Sequence, residues 1–248
     1  MSHGIPQLET RNWDFKKNIN VRGYSSFNAD RYTLVEYFIR LPQLNASVDV
    51  TTNLDFEVLG TNASNDDVTF SSTIAGIQLQ TDTTTGDQVI VLPHLDSNQS
   101  AWTGIKWGTE NQVIWECMLR TDSSVADLII WAGLKLTNTS TVATDDDQIF
   151  FRFDTAVANW EATYSIADTD TETDTGVAVS ASTNYKLKIE IDSDRKGHFY
   201  INDKYVAGTS SALTNDVDLI PYVGVQAATD AAKTIHLCYE KISRIIFE

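Results

Sequence analysis

From residue 33 onward, apolar and polar side chains alternate with a period of two. In TLVEYFIRL, Val35, Tyr37, Ile39 and Leu41 alternate with positions that include Glu36 and Arg40, and Pro42 ends the run. Successive side chains of a strand point to opposite faces, so this spacing predicts a strand over 33–41. A helix capped at Asn28 is the competing reading. Clearer strand segments follow at 74–81, 87–92, 112–121, 127–136, 148–154 and 159–167. The last third adds 185–192, 197–203, 204–208, 218–227 and 234–248. Clusters such as TDTTTGD, TNTSTVATDDD and ADTDTETDTG read as the turns between them. No repeat, heptad pattern or low-complexity linker divides the chain. The pattern predicts one antiparallel β-sandwich over 31–248, preceded by an extended arm at 1–30.

Composition agrees with an all-β class. The chain has 248 residues, with 29 Thr against 12 Gly and 4 Pro. Thr and the other β-branched residues suit pleated surfaces and disfavour helices through their stiff χ1. A chain of this length buries a sizeable core without staples, and two cysteines, Cys117 and Cys238, do not make a disulfide framework. They are expected as packed free thiols.

The formal charge of −16 is unevenly placed. Residues 1–42 hold 6 basic and 4 acidic groups, residues 43–185 hold 4 and 21, and residues 186–248 hold 8 and 9. So acidic a body repels phosphate backbones, which excludes general nucleic-acid binding. No run of 18 apolar residues suggests a membrane span, and the start lacks the apolar segment of a secretory signal. The arm differs from the body. Arg11, Lys16, Lys17 and Arg22, interleaved with Trp13 and Phe15, form a candidate partner-binding surface.

The string YKLKIEIDSDRKGHFYINDKYVAGTSSAL, followed by PYVGVQA and IHLCYEKISRIIF, resembles the second half of concanavalin A-like (laminin-G-like) jelly rolls. Upstream, AGIQLQTDTTTGDQVIVL and NQVIWECMLRTDSSVADLIIWAGLKL resemble the earlier strands of that superfamily, so the likeness spans about residues 70–248. The texture as a whole, a mixed arm on a Thr-rich acidic jelly roll, is similar to virion structural proteins of tailed bacteriophages. Asn202-Asp203 occupies a two-residue turn where Asn-Gly is commoner, which leaves the turn type open.

The resemblance directs attention to several chemistries. Hydrolases of the superfamily present paired carboxylates from one strand face. Here the nearest string, Glu172-Thr-Asp174, lacks the third carboxylate and falls in a stretch that reads as a solvated loop, while Glu116 and Glu161 are isolated in sequence. A lyase would carry Gln-x-His, and Thr234-Ile235-His236 has only the His. No catalytic residue and no cofactor is therefore expected. Acidic loops suit a structural Ca²⁺, for which Asp145, Asp146, Asp147, Asp192 and Asp194 are the candidates. Trp102 and Trp107, in SAWTGIKWG, form a candidate glycan platform.

The expectation is a non-enzymatic phage virion protein. It would be made in the host cytoplasm and would decorate or cement a capsid, with its arm on other virion proteins such as the major capsid protein and with copies of itself in a homo-oligomer. The alternative is a carbohydrate- or receptor-binding lectin-like module. A glycan hydrolase or lyase is the third reading.

Overall fold

The structure, a computed structural model, describes residues 31–42, 44–45, 56–93, 106–136 and 145–246. The arm residues Arg11, Trp13, Phe15, Lys16, Lys17 and Arg22 lie outside the described residues, as does Trp102.

Among the described residues, seventeen strands form two sheets. In chain order they are β1 (Arg31–Glu36), β2 (Leu44–Asn45), β3 (Phe56–Leu59), β4 (Val68–Phe70), β5 (Ile77–Gln80), β6 (Gln88–Pro93), β7 (Trp107–Gly108), β8 (Ile114–Thr121) and β9 (Leu128–Lys135). They continue as β10 (Gln148–Asp154), β11 (Asn159–Ser165), β12 (Asp170–Ala178), β13 (Asn184–Ile191), β14 (Gly197–Ile201), β15 (Lys204–Gly208), β16 (Asp218–Ala227) and β17 (Thr234–Ile245). One sheet has eight strands in the order β15-β14-β13-β8-β17-β5-β4, with β1 also on β17. The other has nine in the order β12-β11-β10-β9-β16-β6-β3-β2, with β7 on β16. This is the concanavalin A-like sandwich.

Alternation builds the core between the sheets. Trp115, Cys117 and Leu119 of β8 and Leu187 and Ile189 of β13 point inward from the eight-stranded sheet. Ile130, Ala132 and Leu134 of β9, and Ile149, Phe151 and Phe153 of β10, point inward from the other. Phe151 joins the layers, with its ring edge-on to Phe199 of β14 at 5.2 Å. The two thiols are free; Cys117 is buried and Cys238 half-buried.

Two departures from the sequence expectation have local causes, and the structure fixes one turn that was left open. β1 ends at Glu36, because Phe38 adopts φ 49° and its N–H donates to Glu36 Oε1 at 2.7 Å. The left-handed residue breaks the alternation, so Phe38 is buried while Ile39 is 67% exposed. ADTDTETDTG, expected as turn, contains most of β12; its exposed polar alternation is that of an edge strand. In the Asn202-Asp203 turn both residues have positive φ, 50° and 66°, the type I′ pattern that matches strand twist.

The closing strand carries a bulge. Leu237 pairs with Leu119 and Tyr239 with Met118, leaving Cys238 as the extra residue. Inward positions are therefore Ile235 and Leu237 before it, and Glu240 and Ile242 after it. Glu240 thus enters the core opposite Glu36 of β1 and Cys117 of β8. Trp115 Nε1–H donates to its Oε1 at 2.8 Å, and Oε2 has no partner among the described residues. Burial pushes this carboxyl up to about 7, against the bond from Trp115.

That position sets a pH dependence. Folded Glu240 keeps its proton up to about pH 7, whereas the unfolded group loses it near 4.5. Stability from this group is full below the lower value and is lost as pH rises through the upper one, by about 3 kcal/mol. Glu240→Gln keeps the acceptor for Trp115 and removes the charge. The variant is expected to match the parent at about pH 4 and to exceed it by about 3 kcal/mol at about pH 8, measured by urea unfolding.

Candidate functional site

The outer face of the nine-stranded sheet carries an open cleft of about 320 Å³. Its floor and walls come from the residues of β9, β10, β11, β12, β16 and β6 that point away from the core. Strand register arranges them in cross-strand rows. The central row runs Gly224, Trp131, Arg152, Glu161, Asp174 across β16, β9, β10, β11 and β12. The next row places Gly133 beside Phe150, then Thr163, then Glu172. Beyond it stand Gln148, Ser165 and Asp170.

Ile129, Phe150 (3% exposed) and Trp131 (7% exposed) supply the apolar part of the lining, the indole showing only an edge to the cleft. Gly224 makes room for the indole, since a Cβ there would stand 3.2 Å from Trp131 Cε3 and 2.8 Å from Ile90 Cγ1. Gly133 does the same for Phe150, whose Cα would lie 2.5 Å from an added Cβ. At the other side of the floor Gln88 Nε2 donates to Gln226 Oε1 at 2.8 Å, a cross-strand amide pair.

Arg152 organises the charged wall. Its Nη2 meets Asp154 Oδ2 at 2.9 Å, and its Nη1 meets Glu161 Oε2 at 3.0 Å and Glu172 Oε1 at 3.5 Å. Burial raises the Glu161 carboxyl above its ordinary range and the Glu172 charge adds to the rise, while Arg152 opposes both. Two further atoms on this face lack hydrogen-bond partners among the described residues, Gln148 Oε1 and Thr163 Oγ1. Both side chains are almost fully buried and line the cleft. A buried polar atom without a partner costs free energy, so such a pair marks a place where a ligand can bring the missing bonds.

The sites expected from sequence are placed differently. Trp107 is fully buried, with its ring 6.4 Å from Tyr32, and cannot serve as an exposed platform. Asp145 carries an ion pair with the buried Lys135 at 3.7 Å and accepts from Leu136 N–H, so a cation already occupies its reach. Asp147 accepts from Thr214 Oγ1 and from Ala167 N–H at 3.3 Å, while Asp146 faces solvent. Asp192 is committed to the β13–β14 turn, taking the N–H groups of Asp194 and Lys196 and pairing with His198 Nε2 at 2.8 Å; Asp194 is exposed. Among the described residues, no three His, Cys, Asp or Glu side chains converge as a metal centre.

His236 is buried, with Nδ1 2.9 Å from Ser71 Oγ, and burial lowers its pKa. Glu116 accepts from Tyr239 O–H at 2.6 Å. Glu161 and Glu172, separate in sequence, come together through the β10–β11–β12 register. The available signal was the lone Arg in QIFFRFD and the Trp on the opposite parity to Ile130 in DLIIWAGLKL.

A family model described as "SO2946-like, C-terminal domain" matches residues 99–237, more than half of the chain. The crystal structure of the protein of unknown function SO2946 from Shewanella oneidensis MR-1 superposes with a TM-score of 0.61 at 14% identity, covering 98% of this chain and 97% of that one. A Bacillus licheniformis β-glucanase gives 0.55 at 10% identity, with 85% and 97% covered. The Emp47p carbohydrate recognition domain gives 0.55 at 9%, with 85% and 96% covered. At these identities the likeness is one of fold. It supports the concanavalin A-like assignment and leaves the resemblance to phage virion proteins without support. No curated protein matches the sequence.

Removing the guanidinium tests the electrostatic reading of the charged wall. Arg152→Met is expected to lower stability by about 2 kcal/mol at about pH 8, because it leaves Glu161 half-desolvated beside Glu172 and Asp154. At about pH 5 the loss should shrink, since Glu161, whose carboxyl burial already raises, takes up a proton once Arg152 no longer opposes it. Urea unfolding at the two pH values measures both.

Proposed function

The chain belongs to the SO2946-like family, and from that footing we propose that it is a carbohydrate-binding protein that holds a glycan in the cleft over Trp131. One observation carries this reading: the cleft combines an aromatic floor with two buried, unpartnered polar atoms, Gln148 Oε1 and Thr163 Oγ1. Sugars offer apolar ring faces for the aromatic and hydroxyls for the polar atoms, which is the complement of that lining. The solved structures of similar fold include a protein named as a carbohydrate recognition domain and another named as a β-glucanase, and both names concern sugars.

The position of Arg152 supports binding over cleavage. A retaining glycosidase holds two carboxylates about 5–5.5 Å apart with the scissile bond between them. Here Nη1 of Arg152 lies between Glu161 and Glu172, at 3.0 and 3.5 Å, in the space that a leaving oxygen would need.

The alternative is a virion decoration protein. It rests on residues 1–30, outside the described residues, and the two readings separate experimentally. Charge reversal at Arg11, Lys16, Lys17 and Arg22 in the full chain should leave glycan binding intact, whereas it would abolish attachment to a particle.

Screening the full chain on a glycan array, then titrating the best binder, tests the proposal. Trp131→Ala is expected to weaken binding by about tenfold or more, with no release of new reducing ends by the parent protein. Retention of full affinity in Trp131→Ala, or an array on which nothing binds, would refute the site. Turnover of the bound glycan would refute the non-enzymatic reading.

A further inference from the structure

The polar chemistry of the cleft narrows the ligand class, on the premise that the cleft binds glycans. Gln148 Nε2 donates to Ser165 Oγ at 3.2 Å and its Oε1 acceptor has no partner among the described residues, at 2% exposure. Asp170 and Glu172 line the same wall, brought opposite Ser165 and Thr163 by the β11–β12 register. Asp170 accepts the Ser165 hydroxyl, and Glu172 is about half exposed.

Among the described residues the lining holds a single cation, Arg152, and its Nη1 and Nη2 are already shared among Asp154, Glu161 and Glu172. A sugar carboxylate or sulfate entering here would give up water, face two carboxylates and meet no uncommitted positive charge. A protonated amine meets the opposite conditions. It brings three donors to a wall rich in acceptors and a charge opposite to the carboxylates.

We propose that the cleft selects glycans built from amine-bearing sugars, with Glu172 and Asp170 reading the ammonium group and the Gln148 Oε1 acceptor taking a ligand donor. Neutral sugars keep the apolar contact with the exposed edge of Trp131 and lose the charge contact. Uronates lose both the charge contact and the entry.

Calorimetric titration of the full chain with three hexamers, of glucosamine, of N-acetylglucosamine and of galacturonate, tests the selection. At about pH 6 and low salt the glucosamine hexamer should bind about tenfold more tightly than its acetylated counterpart, and the galacturonate hexamer should give no measurable heat. Glu172→Gln combined with Asp170→Asn should bring the two glucosamine-type hexamers to within about twofold of each other, without weakening the acetylated one. A thermal melt confirms that this variant is folded. Equal or tighter binding of the acetylated hexamer by the parent, a preference that survives in the variant, or tighter binding of the galacturonate hexamer overturns the selection. If binding in those cases still depends on Trp131, glycan binding itself stands. Absence of heat with all three hexamers overturns the selection; the glycan array decides separately whether the binding site falls with it.

Discussion

The pleat of three adjacent strands, β9, β10 and β11, is the constraint on which the molecule depends. Even positions on β9 (Ile130, Ala132, Leu134) and odd ones on β10 (Ile149, Phe151, Phe153) fill the core. Their neighbours, Trp131, Phe150 and Arg152, are delivered to the opposite face at fixed lateral spacing. Core and cleft are therefore two sides of one register. A one-residue slip would send Arg152 between the sheets and Phe151 or Phe153 to the cleft. The hydrophobic core thereby enforces the geometry of the polar site without any contact specific to it.

Charge is managed differently on the two sides of the sandwich. On the cleft face, a cluster of carboxylates is tolerated because one guanidinium spans three of them, and its planar fork suits that task better than a lysine would. Inside, Glu240 has no cation among the described residues. It is accommodated by the Trp115 N–H and by a raised affinity for its proton. The acidic excess of the sequence is thus not uniform surface charge. Part of it is paired with Arg152, part is buried with a raised affinity for its proton, and part lines the cleft.

Much of the strand pattern was legible along the chain, because a half-buried strand must alternate. The segments 148–154, 204–208 and 218–227 coincide with β10, β15 and β16. Alternation failed as a guide where one residue changed backbone region, at Phe38, and where polar side chains occupied an edge strand, in β12. The bulge at Cys238 was likewise invisible, since an inserted residue leaves no trace in composition. Indole burial could not be judged either: Trp107 and Trp131 both sit among mixed neighbours and both end up buried, and only packing decides that Trp107 is fully enclosed beside Tyr32 while Trp131 shows an edge to the cleft.

The sequence by itself determined the class of fold and the sign of the charge, because both follow from local periodicity and from counting. Tertiary structure decided which charges meet. Arg152, Glu161 and Glu172 are 9 to 20 residues apart along the chain, and they become neighbours only when three strands pair side by side. A site assembled across strands is set by hydrogen-bond register, a long-range property that no single stretch of residues contains.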